Sequence, residues 1–178
     1  MRKLFKQNIK IGILGGTFDP PHIGHLYISI IALKKLKLNK LIWAVTKKNP
    51  LKKRPNLSIK ERIKLSKKIT QKEKKIFVFS FDDKIKSTNT FDLLKHIRRR
   101  QKKAKLYFLI GADNLVKFHK WNNWNRIPEL AKIVVFPRQD HMIRKNKYIV
   151  SKRLKKRDLI YINSKKIKIS SSLIRKFW

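Results

Sequence analysis

At 178 residues the chain suits one domain with a proper core, and its 42% apolar content is slightly below ordinary globular usage. It has no cysteine, which excludes disulfides and thiolate metal sites and allows a reducing cytoplasm; no apolar run is long enough to span a membrane. Lysine and arginine total 48 against 10 acidic residues, a formal charge of +38, and a field of that size draws nucleotides, nucleic acid and anionic lipid alike.

The start, Met1 to Lys6, is basic but has no following h-region, so no signal peptide is expected. Ile11-Gly12-Ile13-Leu14 reads as a first strand. It runs into Gly15-Gly16-Thr17-Phe18-Asp19-Pro20-Pro21-His22-Ile23-Gly24-His25. Leu26, Ile30 and Leu33 then repeat at helical spacing, which predicts an amphipathic helix ending near Leu38-Asn39. Leu41 to Val45 is a short apolar run, the second strand. Residues 46 to 56 form a basic loop with Pro50 and Pro55. Ser58 and Glu61 make a capping box, so a helix runs to about Thr70. Ile76 to Phe79 is the third strand. Thr90 opens a helix whose apolar face is Phe91, Leu94 and Ile97. Leu106 to Ile110 is the fourth strand and stops at Gly111. A short helix from Asn114 and another over 126–130 lead to the fifth strand, Ile133 to Phe136. Residues 138 to 158 are polar and basic without a clear period. Leu159 to Ile162 is a last strand, and Ser171 opens a short terminal helix. No internal repeat is visible. Strands alternating with helices predict an α/β fold, a doubly wound parallel sheet in a single domain over 1–178. Ligands in such sheets bind beyond the carboxyl ends of the strands, at the switch point. The loops that matter therefore follow Leu14, Val45, Phe79, Ile110 and Phe136.

The glycine turn is the first place to look for chemistry. Two adjacent glycines let backbone approach a ligand closely. His22 and His25 share a face if a helix starts there, at an N-terminus whose N–H groups and dipole attract anions. Two imidazoles suit a phosphate; a metal is the alternative, but no carboxylate or cysteine stands at the matching helical spacing. Neither the Gly-x-Gly-x-x-Gly fingerprint nor a Walker loop is present. Gly111-Ala112-Asp113 puts a close-approach glycine and a carboxylate at a strand end, where Asp113 either meets ribose hydroxyls or caps the next helix. Ser170-Ser171-Ser172 with Arg175 places hydroxyls, N–H groups and a planar fork of donors at a helix start; that suits a phosphate, or is simply a serine cap. The lysines are spread along the whole chain beside much isoleucine and asparagine, which fits compositional drift toward AT-rich codons. The densest clusters, around Arg98–Lys103 and Lys152–Arg157, are expected on solvated faces.

Gly-Gly-Thr-Phe-Asp-Pro-x-His-x-Gly-His resembles the HxGH signature of the nucleotidyltransferase superfamily. The string Ile110 to Leu115, with Phe118-His119-Lys120-Trp121-Asn122-Asn123-Trp124, resembles one family within it, the bacterial nicotinate-mononucleotide adenylyltransferases. Ile169-Ser170-Ser171-Ser172-Leu173-Ile174-Arg175 is similar to the superfamily's second signature. Ser87 to Leu94 resembles the family's Ser-Tyr-Thr-x-Asp-Thr-Leu stretch, with Asn89 in place of Tyr and Leu93 in place of the second Thr. Asn49-Pro50-Leu51-Lys52 stands where many relatives carry Pro-Pro-His-Lys, without the histidine. The resemblance covers essentially the whole chain. It implies a Rossmann-like nucleotidyltransferase fold and a step of NAD biosynthesis in the cytoplasm: ATP plus nicotinate mononucleotide gives deamido-NAD and pyrophosphate. It further implies His22 and Arg175 as catalytic groups. Gly15, Gly16, Thr17, Phe18, His25, Gly111, Asp113, Ser171 and Ser172 would bind ATP. Thr88 and Thr90, through backbone, and Trp121, by stacking, would hold the mononucleotide, with Trp124 as packing. Mg²⁺ would arrive on the phosphates of ATP, with no metal site of the protein's own. No membrane partner is expected, nucleic acid would be met only non-specifically, and a homo-oligomer is allowed. Two alternatives stand beside this. Phosphopantetheine adenylyltransferase shares the first signature but not the stretches at Trp121 and Thr88. A basic nucleic-acid-binding module answers to the charge, but it would want aromatic platforms interleaved with basic residues.

Overall fold

The computed structural model describes residues 9–137, 153–164 and 169–177. The continuous apolar runs become strands covered on both faces, as a parallel sheet demands. In chain order the elements are β1 (Lys10–Gly16), α1 (Ile23–Lys35), β2 (Lys40–Val45), α2 (Ile59–Thr70), β3 (Ile76–Phe79), α3 (Asp82–Ile85) and α4 (Thr90–Arg100). They continue with β4 (Lys105–Gly111), α5 (Ala112–Val116), α6 (Ile127–Leu130), β5 (Lys132–Phe136), β6 (Leu159–Tyr161) and α7 (Ser171–Ile174). The six strands lie in one sheet, in the order β3-β2-β1-β4-β5-β6. Every pairing is parallel. The chain steps outward from β1 through β2 to β3, then crosses back to β4 on the other side of β1. The switch point is therefore between β1 and β4, where the two strand ends Gly16 and Gly111 open a crevice.

Alternate residues of each strand feed two core layers. Ile11, Ile13, Phe108 and Ile110 pack under α4, α5 and α6 through Phe91, Leu94, Leu115 and Ile127. Leu14, Trp43, Val45 and Leu109 pack under α1 and α2 through Ala32, Ile31 and Ile63. The Trp43 indole is fully buried and donates from Nε1 to Ser29 Oγ at 2.9 Å, which pins α1 over β2. The Ser58–Glu61 capping box forms as its sequence predicts, with Ser58 N donating to Glu61 Oε2 at 2.8 Å.

Some sequence expectations need correction. The first helix ends at Lys35, not near Leu38-Asn39. Lys37 is left-handed, with φ of 51°, which turns Leu38 into the core at 3% exposure instead of continuing the helix. α3 has no counterpart among the predicted elements: four residues are too short for a period to show. Arg98 does not lie on a solvated face. It donates to Ala104 O and Leu130 O, each at 2.6 Å, and so ties the end of α4 to α6. The short helix after β4 also begins two residues before Asn114, directly on the strand end. Of the second basic cluster, Arg153, Lys155, Lys156 and Arg157 are exposed, while Lys152, with the rest of 138–152, lies outside the described residues.

Candidate active site

The turn after β1 is built by burial and capping. Phe18 is left-handed, with φ of 51°, and its ring stacks on Trp43 at 4.8 Å, inside the core at 2% exposure. The Asp19–Pro20 peptide is cis, and the chain then enters α1 with His22 as N-cap. His22 Nδ1 accepts from Gly24 N at 3.1 Å, and His25 Nδ1 accepts from His22 N at 3.2 Å. In each neutral ring the proton is therefore on Nε2. The two ring centroids are 3.8 Å apart. The arrangement gives two neighbouring N–H donors beside the positive end of α1. Gly24 has a steric reason: a Cβ there would lie 2.9 Å from His22 Cε1 and Nδ1 and 3.0 Å from Ile169 Cγ2.

Two cavities flank this turn. The larger, about 410 Å³, is lined by Gly15, Thr46, Lys48, Thr88, Thr90 and Trp121 among others. The smaller, about 130 Å³, is lined by His22, His25, Gly111, Asn114 and Ile169 among others. Gly15 and Trp121 line both, so the cavities meet at the end of β1. A Cβ on Gly15 would touch only Phe108, at an ordinary 3.5 Å. Trp121 is half-buried against Phe118 and Phe108, at 5.1 and 6.1 Å between centroids, so the core holds part of the ring while part faces the cavities.

The two signatures at opposite ends of the sequence touch. Ser170 caps α7 by accepting from Leu173 N at 3.1 Å. Ser171 Oγ donates to Pro20 O at 2.8 Å. Arg175 donates to Asp19 O, lies 3.5 Å from Asp19 Oδ2, and donates to Ser172 Oγ at 3.3 Å. Asp19 is 3% exposed, and its carboxylate accepts from Asn56 N at 2.9 Å and Leu57 N at 3.0 Å. Asp19 thus joins the glycine turn, the loop after β2 and the terminal helix.

A buried arginine completes this frame. Arg62, on α2, is 2% exposed. It donates to Leu57 O at 3.0 Å, to Thr17 O and Thr46 O at 2.6 Å each, and to Lys47 O at 3.2 Å. Asp82, also buried, accepts from Thr46 Oγ1 at 2.8 Å and Lys47 N at 2.6 Å. Burial holds the Arg62 guanidinium below its usual range, and the charges of Asp19 and Asp82 offset only part of that. Neither Arg62 nor Asp82 is signalled by a motif, and nothing in the period of α2 shows that its one inward arginine reaches two loops.

Residues 13–177 match the model of the cytidylyltransferase-like family. A protein of Pelagibacter ubique (strain HTCC1062) named "Probable nicotinate-nucleotide adenylyltransferase" is 44% identical over 173 residues, covering 97% of this chain and 96% of that one. The chain belongs to the nicotinate-nucleotide adenylyltransferase family. A second relative with the same printed name, from Ruegeria sp. (strain TM1040), is 38% identical over 128 residues, 72% of this chain and 67% of its own. Among solved structures, the Plasmodium falciparum nicotinic acid mononucleotide adenylyltransferase complexed with NaAD shares the fold. Its TM-score is 0.79 at 22% identity, covering 95% of this chain and 83% of that one.

Within this adenylyltransferase frame the sequence-derived residues fall into two groups. Gly15, Gly16, His22, His25, Gly111, Thr88, Thr90 and Trp121 line the cavities. Thr17, Phe18, Asp113, Ser171, Ser172 and Arg175 are not part of that lining. Thr17 gives its carbonyl to Arg62, Phe18 packs in the core, and Arg175 is seated on Asp19. Asp113 sits on α5, half-buried, while its neighbour Asn114 lines the smaller cavity. Trp124 packs edge-on to Phe118 at 6.3 Å. Among the described residues no group of three or more His, Cys, Asp or Glu could hold a metal ion, and no helix is long and apolar enough to cross a membrane. Trp178, the chain's last residue, lies outside the described residues.

Proposed function

We propose that this protein, as a single nucleotidyltransferase domain, transfers the adenylyl group of ATP to nicotinate mononucleotide, giving deamido-NAD and pyrophosphate. The observation that carries the reading is the pair of cavities that meet at Gly15 with the His22–His25 pair on the wall of one. The larger would take the mononucleotide, with Trp121 as its aromatic wall and the backbone at Thr88 and Thr90 beside it. The smaller would take adenosine at Gly111 and Asn114. The mononucleotide phosphate oxygen attacks the α-phosphorus of ATP. A new P–O bond forms, the bond from that phosphorus to the β-bridging oxygen breaks, and pyrophosphate leaves with its electron pair. A phosphate monoester is already a nucleophile near neutral pH, so no general base is required. The protein's work is positioning and stabilising charge.

His22 and Arg175 would face the developing charge, with His25, Ser171 and Ser172 about the triphosphate. This assignment is supported by Ser171 and Arg175 bonding to Pro20 and Asp19, just ahead of His22. Mg²⁺ fits as a passenger of ATP, because the buried carboxylates of Asp19 and Asp82 already accept from backbone amides. When bound it neutralises phosphate charge. A chain without cysteine suits a reducing cytoplasm. The test is pyrophosphate release from ATP with three acceptors: nicotinate mononucleotide, its amide, and phosphopantetheine. Release is expected to be fastest with the first. Turnover with phosphopantetheine alone would overturn the reading.

A further inference from the structure

We infer that Arg62 is a positioning residue that locks the loop after β2 onto the glycine turn, so that the mononucleotide side and the ATP side of the site are held as one piece. The inference rests on the adenylyltransferase reading for what the two sides bind, and on geometry alone for the lock.

Three loop residues are gripped from both sides. Thr46 gives its carbonyl to Arg62 and its hydroxyl to Asp82. Lys47 gives its carbonyl to Arg62 and its N–H to Asp82. Leu57 gives its carbonyl to Arg62 and its N–H to Asp19. The same guanidinium reaches Thr17 O in the turn after β1. Between the gripped ends, Lys48, Asn49, Pro50 and Leu51 line the larger cavity. The loop's two ends and the glycine turn therefore converge on one planar side chain, while Asp82 of α3 holds Thr46 and Lys47 from the other side.

The choice of residue has a physical basis. An apolar side chain at position 62 could bury itself equally well but would leave four carbonyls without this donor. Lysine would keep the charge, but a point ammonium with three donors cannot match the fixed fork that serves carbonyls in several directions. Any buried guanidinium must satisfy its N–H donors; here the partners that do so lie on the turn after β1 and on both ends of the loop after β2, so satisfying them ties the two loops together.

The test compares wild type, Arg62→Lys and Asp82→Asn. Amide hydrogen exchange at Thr46, Lys47, Asn56 and Leu57 is read without substrate. Steady-state kinetics are read well below each variant's Tm. Arg62→Lys should speed exchange at these amides, raise the KM for the mononucleotide and lower kcat, each by about tenfold, because small misplacements of bound groups are expensive in rate. Asp82→Asn loosens only the β2-loop side, so it should raise the mononucleotide KM and leave the KM for ATP unchanged. A folded Arg62→Lys protein with wild-type kinetics overturns the inference. So does a loss of activity that merely tracks the unfolded fraction and vanishes on cooling. Should Arg62→Lys fail to fold, Asp82→Asn decides, and unchanged mononucleotide KM overturns the lock. If wild type itself makes no deamido-NAD, the functional reading fails separately, and exchange alone decides: unchanged protection in Arg62→Lys sinks the lock, faster exchange upholds it.

Discussion

His22 does two jobs at once, and they can be separated. Its Nδ1 caps α1 through Gly24 N, and its Nε2 carries the proton proposed to meet phosphate. Asparagine can keep the cap but not the imidazole. His22→Asn should therefore hold Tm near wild type while turnover falls about a hundredfold, the usual effect of one lost preorganised donor. His22→Ala should lose the same turnover and, in addition, about 1 kcal/mol of stability with the cap. Equal turnover in His22→Asn and wild type would remove His22 from the reaction. Gly24→Ala tests the neighbouring contact. Alanine favours helix over glycine by roughly 1 kcal/mol, yet its Cβ would press on the His22 ring at 2.9 Å. The expected outcome is a protein of near-normal Tm with turnover down at least about tenfold, since the ring must shift. A variant both stable and fully active would show that the ring's position is not critical.

The terminal element, α7, has four residues and cannot stand by its own helix propensity. Its visible anchors are polar: Ser171 on Pro20 O and Arg175 on Asp19, across 151 and 156 residues of sequence. Asp19 in turn holds the amides of Asn56 and Leu57. Asp19→Ala should release the loop and the terminal helix together. It should cost on the order of 2 kcal/mol, as buried partners lose charged hydrogen bonds, and lower turnover with it. Thermal melts beside kinetics check this; a Tm change within error would mean the carboxylate is dispensable. At α4, His96 has its pKa lowered by burial first and then by the charges of Arg100, Lys84 and Arg99. An unfolded histidine takes up its proton more readily than this one, so stability is fully present above about pH 6.5 and is lost as pH falls toward the depressed folded value. His96→Gln should lose less Tm than wild type between pH 7.5 and 5.5, and identical pH slopes would exclude His96 as a source.

At the scale of the whole molecule the net charge of +38 outweighs every other electrostatic feature. Most lysines among the described residues are exposed, so the folded state carries a self-repulsion that salt screens within about 10 Å at 0.1 M. Tm should rise between about 10 and 150 mM NaCl, and the KM for ATP should rise over the same range as attraction of the triphosphate weakens. Both are read from melts and kinetics in a salt series. A Tm independent of salt would mean that the charges are too well spread to strain the fold.

Local rules were enough to place most of the sheet. Apolar runs such as Leu41–Val45 and Leu106–Ile110, the Ser58–Glu61 capping box and the alternation of strand and helix are all short-range signals, and the structure carries them at nearly those boundaries. The glycine turn and the His22–His25 pair were legible for the same reason: a spacing of three residues at a helix start fixes their common face without help from elsewhere. What tertiary structure alone decided is everything that depends on contacts between distant residues. Arg62 looks like one more cation on a lysine-rich helix until burial brings Thr17, Thr46, Lys47 and Leu57 around it. Arg175 is picked out by its motif, but that its anchor is Asp19, 156 residues away, only the folded chain shows. Phe18 stands within a phosphate turn but spends its ring on Trp43. Burial of a charge or a ring is set by what the other loops place around it, and no local period encodes that.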